Sequence, residues 1–429
     1  MADPTPKPPS QPSPPLWLFA TLYFCEGAPI GFIWWALPAM LRADGVAVGR
    51  GTALTALLVL PWALKFLAAP LVDCVRGPRW GWRAWIASMQ IGMALSLLPL
   101  AWMHWAGFPW AEHLVWVGAA LFVHAVFAAM QDASIDGAAM RSVPATQRGR
   151  VNAAMQFGFV LGRASFGGGA LWFAAQAGRD VVVAAMIGCI AITLAATIRL
   201  RVPTDRATSP RRFFDLIARA ARRRSTYVGL AFALTAGACF EITGALANQL
   251  LIDRGLTEAD VGTFLISWVV AATVIGGLLG GWSADRWGRP AAIGVWLGLC
   301  AAAAAILAYI DTASFNTASL GALRFDGESR AYALQIGLAA MYFFYGAFTA
   351  ASYAWFMDLT DVELGATQFS LYMSATNGCE SWSTKAGGAW QESSGYGFAM
   401  GMGSAISFAA LAAFGLLSRL ARRRAPGAG

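Results

Sequence analysis

The run from Thr52 to Val72 restricts this chain more than any other stretch. Every residue in it is apolar or small except Thr52, Thr55 and Lys65. A bilayer takes about 20 apolar residues to cross, so the run is long enough to span one. Lys65 then falls near the middle, where a charge costs about 2.5–3.5 kcal/mol on the insertion scale. Its four-carbon stem could reach for an interface, but from mid-span that reach is poor, so a functional role is expected.

Similar runs recur along the chain. Hydropathy gives twelve spans, at 16–40, 52–73, 84–104, 113–138, 151–175, 181–199, 226–251, 261–282, 291–310, 332–357, 367–390 and 397–417. The composition agrees, with 58% hydrophobic and 13% charged residues, against about 25% charged in soluble domains. The fold class expected is therefore an all-α integral membrane protein. Residues 1–15 hold seven prolines and no apolar core, which predicts a disordered tail rather than a signal peptide. A six-span half over 16–199 is followed by a basic linker (200–225), a second six-span half (226–418) and a basic tail (419–429).

The formal charge of +8 could suggest nucleic acid, but its placement argues for topology instead. With both termini cytoplasmic, the cytoplasmic connections carry 22 of the lysines and arginines and the opposite ones six. That asymmetry is the positive-inside pattern and places the protein in the inner (plasma) membrane with no nucleic-acid partner. Within the linker, the segment from Phe213 to Arg219 fits either an amphipathic surface helix or a solvated basic strip. The six cysteines are scattered, and neither they nor His104, His113 and His124 have metal-ligand spacing, so neither metal nor cofactor is expected.

The halves repeat each other at an offset of 210–216 residues. Leu41-Arg42-Ala43-Asp44-Gly45 corresponds to Leu251-Ile252-Asp253-Arg254-Gly255, Asp73 to Asp285, and Glu26 loosely to Glu241. Gly149-Arg150-Val151-Asn152 corresponds to Gly365-Ala366-Thr367-Gln368. Two related halves put a solute site at the midplane, between bodies that rock against each other.

Three cations fall inside spans: Lys65, Arg163 and Lys385. Only three lysines exist in the chain and two of them are here, which favours a compact charge able to shed its proton. Glu26, Glu241 and Glu380 lie about half-way along their own spans. Three acids and three bases at similar depth are expected to share one cavity, either as a structural set or as a working one. Polar residues also form stripes: Asn152, Gln156 and Arg163 share a face of the fifth span, and Gln368, Tyr372, Thr376 and Glu380 step by four along the eleventh. Helix–helix hydrogen bonding would explain such stripes equally well. Asp132 and Asp136 lie toward the cytoplasmic end of span four and suit a proton exit or an inner gate, with Asp136 assigned to the gate. Trp80, Trp82, Trp102, Trp105 and Trp110 lie near span ends, as belt residues do, whereas Trp34 or Trp35 is deep enough to stack on a ligand.

The segment Gly281-Trp282-Ser283-Ala284-Asp285-Arg286-Trp287-Gly288-Arg289 resembles the cytoplasmic loop motif of the major facilitator superfamily, G-x-x-x-D-R-x-G-R. Its first copy departs from the pattern, since Cys74 follows Asp73 where an arginine stands in the motif. Cys25-Glu26-Gly27-Ala28-Pro29-Ile30-Gly31, the stretch 61–73, Gln131-Asp132-Ala133-Ser134-Ile135-Asp136-Gly137 and Arg148-Gly149-Arg150-Val151-Asn152 resemble the AmpG-type muropeptide permeases. That group also takes in acetyl-coenzyme A transporters and one-component siderophore permeases of the RhtX/FptX type. The resemblance implies the major facilitator fold, with twelve transmembrane helices in two pseudo-symmetric halves. It also implies a cavity lined by spans one, four, seven and ten, which makes Tyr23, Glu26, His124, Gln249, Tyr345 and Tyr353 candidates.

The expected function is a secondary transporter, not an enzyme, working as a monomer on a small solute and protons. No phosphate-binding loop occurs, which points to an ion gradient rather than ATP. Substrate binding is assigned to Lys65, Arg163, Lys385, Trp34, Asn152, Gln156, Tyr345 and Tyr372. Proton coupling is assigned to Glu26, Glu241, Glu380 and Asp132, and gating to Asp73, Asp136, Asp285, Arg286 and Arg289. The solute expected is an amphiphilic anion or zwitterion such as a muropeptide, with a siderophore as the alternative. A non-transporting receptor or an intramembrane enzyme is the remote one.

Overall fold

The computed structural model describes residues 15–75, 77, 80–142, 148–200, 210–313, 327–359 and 365–423. The proline-rich tail, much of the final basic tail and the side chains of Asp73 and Asn152 fall outside the described residues. Regular structure among the described residues is entirely helical. Ten stretches are long and apolar enough to cross a membrane. The remaining two of the twelve transmembrane helices are the fifth (Arg148–Phe166 with Gly168–Ala177) and the eleventh (Gly365–Ser394). These two are the ones that carry the polar stripes.

Several spans are broken, and the breaks have local causes. The first runs as Leu16–Gly31, a wide π turn at Phe32–Ala36 and Leu37–Ala43. Pro38 lacks the amide that an ordinary turn would use there, and the π turn holds Trp34 and Trp35. The second span is interrupted at Leu64, between helices Val48–Ala63 and Lys65–Cys74, with Pro61 on one side and Pro70 on the other. The charge that costs most in the apolar run thus stands at a break in its helix.

Spans one and five cross closely enough to fix their neighbours' positions. A Cβ at Gly27 or Gly31 would collide with the carbonyls of Phe159 and Arg163, and one at Gly158 or Gly162 with those of Ala20 and Phe24. Both helices therefore use a small-xxx-small stripe, the packing device of membrane helices. This crossing sets Arg163 beside the π turn of span one.

The repeat is visible in backbone detail. At the end of span one, the Gly45 amide bonds to the Arg42 carbonyl and the Val46 amide to Leu41. At the end of span seven (Arg224–Thr235 and Ala238–Asp253), the Gly255 amide bonds to Ile252 and the Leu256 amide to Leu251. Both glycines have positive φ, 83° and 93°, the conformation that ends such helices.

The halves meet away from the termini. There Arg42 of the first half forms two bonds with Asp253 of the second, at 2.6 and 2.8 Å. Tyr396 donates to the same Asp253 at 2.7 Å. Arg179 pairs with Asp44 in its own half and reaches Glu258 across the boundary at 3.5 Å. The Gly49 amide bonds to Glu392 at 2.9 Å. Nearer mid-span, Asn248 donates to the Trp35 carbonyl (2.8 Å) and Ser381 to that of Ala56 (2.9 Å). These bonds shut the face opposite the termini.

Candidate functional site

The intramembrane charges divide into two clusters rather than sharing one cavity. In the first half, Lys65 Nζ donates to Asp132 Oδ2 at 2.8 Å. Glu26 and Asp136 lie against the same Asp132, and Tyr23 donates its hydroxyl hydrogen to Asp136. Glu26 is buried, and its Oε2 has no protein partner among the described residues. Three carboxyls thus meet one ammonium.

The second cluster forms between the halves. Arg163, Glu241 and Glu380 line one small cavity with Trp34, Trp35, Thr55, Tyr342 and Thr384, with about 20 Å³ free, room for a single water. The Arg163 guanidinium lies over the Trp35 ring, 4.6 Å from its centroid, while its Nε is buried without a partner among the described residues. Such stacking holds the planar group and leaves its edge for a carboxylate or phosphate. Tyr345 donates to Glu241 at 3.3 Å and its ring stacks on Phe240. Glu241 also borders a second cavity, toward the face of the termini, with Phe232, Tyr345, Tyr353 and Thr376. Trp34 packs edge-on against Trp62, and both indole N–H groups are buried and without a partner among the described residues.

Lys385 departs from the expectation of one shared cavity. It is exposed and joins neither cluster. Five residues of an α-helix turn about 140° past Glu380, so its side chain leaves the cavity on another side. The stripe on the eleventh span also divides. Each step of four drifts about 40° around the helix. Thr376 and Glu380 reach the cavities, while Tyr372 is fully buried, stacked on Phe356 and bonded to Gln368, which also donates to Thr226. That places Tyr372 in the packing of the second half. Gln156 is exposed on the fifth span.

In the loop motif, Arg289 pairs with Asp285 and extends to Asp358 at 3.3 Å. This joins the turn between spans eight and nine to the end of span ten, within one half. Arg286 is exposed.

The Major Facilitator Superfamily profile matches residues 19–384. The chain belongs to the Major Facilitator Superfamily. It is a membrane transporter by family, not an enzyme. It is 26% identical over 280 residues to the anhydromuropeptide permease of Escherichia coli (strain K12), a match covering 61% of this chain and 53% of that protein. The chain thus spans about half the length of the curated relatives it matches. Among solved structures it is similar to a D-xylose-proton symporter, with a TM-score of 0.70 and 12% identity over 92% of this chain and 96% of that one. A POT family transporter in complex with a thioalcohol-conjugated peptide also superposes with a TM-score of 0.70, at 10% identity over 94% and 96%. At such identities the structures speak for the fold alone.

Sequence reasoning missed the far-side closure, made by Arg42, Arg179, Asp253, Glu258 and Tyr396. A signal was present: Arg42, Asp44, Asp253 and Arg254 all stand in the repeated segment that ends spans one and seven. It also missed the Tyr23–Asp136 contact, whose partners are 113 positions apart.

Proposed function

We propose that this superfamily member is a proton-coupled importer of an amphiphilic anionic or zwitterionic solute, with a muropeptide as the leading candidate. The observation that carries the reading is the Arg163 cluster: a stacked, half-buried guanidinium facing two carboxyls and a pair of tryptophans. Arg163 takes the negative group of the solute. Trp34 and Trp62 offer apolar faces and N–H donors to the rest, as a sugar or an aromatic ring requires. A buried carboxyl carries the coupling proton, because desolvation favours the neutral form of any buried acid until a cation or water restores its charge. Partial identity to an anhydromuropeptide permease supports the solute class. The excess of cations in the connections on the side of the termini supports a multi-pass inner-membrane protein with both termini cytoplasmic.

Purified protein in proteoliposomes should accumulate an anhydromuropeptide when the outside is acidified, and Arg163→Gln should abolish binding. Uptake that ignores an imposed pH gradient would remove the coupling. Binding of a ferric siderophore in place of the muropeptide would move the solute to the alternative class.

A further inference from the structure

Tyr23 and Glu26 are three residues apart on the first span, and Asp132 and Asp136 four apart on the fourth, so each pair lies one turn apart on its helix. The two helices run in opposite directions and bring these side chains together as two rungs. On the deeper rung Glu26 meets Asp132, which Lys65 holds at 2.8 Å. On the rung nearer the termini Tyr23 donates to Asp136, and Asp136 also lies against Asp132. Three carboxyls gathered around one ammonium and one tyrosine hydroxyl do not favour full ionisation. One lysine offsets one of the three, so the ladder has a standing place for a proton.

The surrounding elements bring few other charges to it. Arg163 of the fifth span is turned onto Trp35. His124 of the fourth faces the third, with its Nδ1 2.9 Å from the Met93 carbonyl. The sixth span contributes the Cys189 thiol, next to Cys25. The Asp73 side chain lies outside the described residues.

We propose that this ladder is the proton path, separate from the solute site, and that Tyr23 and Asp136 form its exit toward the face of the termini. This deepens the proton-coupled reading above and rests on it for the direction of travel. A proton taken by Glu26 passes to Asp132: the O–H bond on Glu26 breaks as the one on Asp132 forms. It then passes to Asp136 and from there to water beyond Tyr23. Lys65 keeps its own proton throughout and steadies Asp132 whenever that group is ionised. Tyr23 is a positioning residue, since its hydroxyl hydrogen holds the ionised Asp136 and turns aside when Asp136 is protonated. The Arg163–Glu241–Glu380 cluster handles only the charges of the solute.

The test begins with a reading that needs no solute. Infrared difference spectra of the full chain in lipid, taken across a pH jump, should show the C=O band of a protonated carboxyl. Glu26→Gln and Asp136→Asn should each remove part of it. Tyr23→Phe, which keeps the ring and the fold, should shift its frequency. Glu241→Gln and Glu380→Gln should leave the Tyr23-sensitive component in place. A band indifferent to Tyr23→Phe, Glu26→Gln and Asp136→Asn would overturn the ladder. In proteoliposomes with an anhydromuropeptide, Tyr23→Phe and Asp136→Asn should keep exchange and lose gradient-driven accumulation. Equal loss of both would place the ladder in the solute site and overturn the separation. Absence of any muropeptide movement by the unaltered protein would defeat the solute reading, while the infrared result still decides the ladder.

Discussion

Arg42 grips Asp253 with two parallel bonds across the boundary between the halves, and the two residues belong to corresponding helix ends of the internal repeat. The same backbone turn that ends each helix delivers one member of the pair from each side. A bidentate arginine–carboxylate pair is directional, so it holds only when the far face is shut.

Breaking that pair should open the far face. The side chains are about a quarter exposed (29% and 21%), which limits the effect to about 1 kcal/mol, roughly fivefold in population. With Arg42→Gln or Asp253→Asn, a cysteine placed at Thr384 in the cavity should label faster with an impermeant reagent added from that face. The swapped double variant Arg42→Asp/Asp253→Arg should restore slow labelling. Unaltered labelling in both single variants would remove the pair from the closure.

A second closure on the same face depends on contact without charge. Gly168 on span five and Gly262 on span eight approach so closely that a Cβ on either meets the other's carbonyl oxygen. Gly262→Val should therefore hold the halves apart, at a cost of about 1–3 kcal/mol in the closed state. The same labelling assay checks it, and this effect, unlike that of Arg42→Gln, should not depend on salt. Labelling at the original rate would show that the crossing gives way without opening.

The loop motif should behave unequally under substitution. The Asp285 side chain is 75% exposed and its bond to Arg289 only bridges the turn at Gly288, so Asp285→Asn should shift the conformational balance by at most about 0.5 kcal/mol. Arg289→Ala loses Asp358 as well, and with it the tie between the turn and span ten. It should shift accessibility more than Asp285→Asn does. Equal effects from the two would mean that the Asp358 contact contributes nothing.

Span number and the two halves were legible because a bilayer imposes length and polarity on each segment separately. Pairing was not. Lys65 and Asp132 are 67 positions apart and Arg42 and Asp253 are 211 apart, and no local rule joins residues so distant. The offset in the repeat aligned Arg42 with Ile252, one residue away from its partner. Lys385 shows the other gap: depth along a helix can be counted, but the side it faces depends on which neighbours surround it. The step-of-four stripe misled for the same reason, since its drift carries Tyr372 into the core and Glu380 into the cavity.

The Lys65–Asp132 pair gives the sharpest test of the first cluster. Both groups are largely buried, at 16% and 6% side-chain exposure. Removing one partner leaves an uncompensated charge in an apolar place, a loss of about 3–5 kcal/mol. Lys65→Ala should therefore lower the thermal midpoint of the purified protein in lipid. Replacing both, as Lys65→Leu/Asp132→Leu, should recover most of the stability, because a matched apolar pair avoids the desolvation cost that the ions carry. It should not recover accumulation of the solute, since the proton then has no carboxyl between Glu26 and Asp136. A Lys65→Ala protein that melts like the original would mean that the pair is not formed in the resting state.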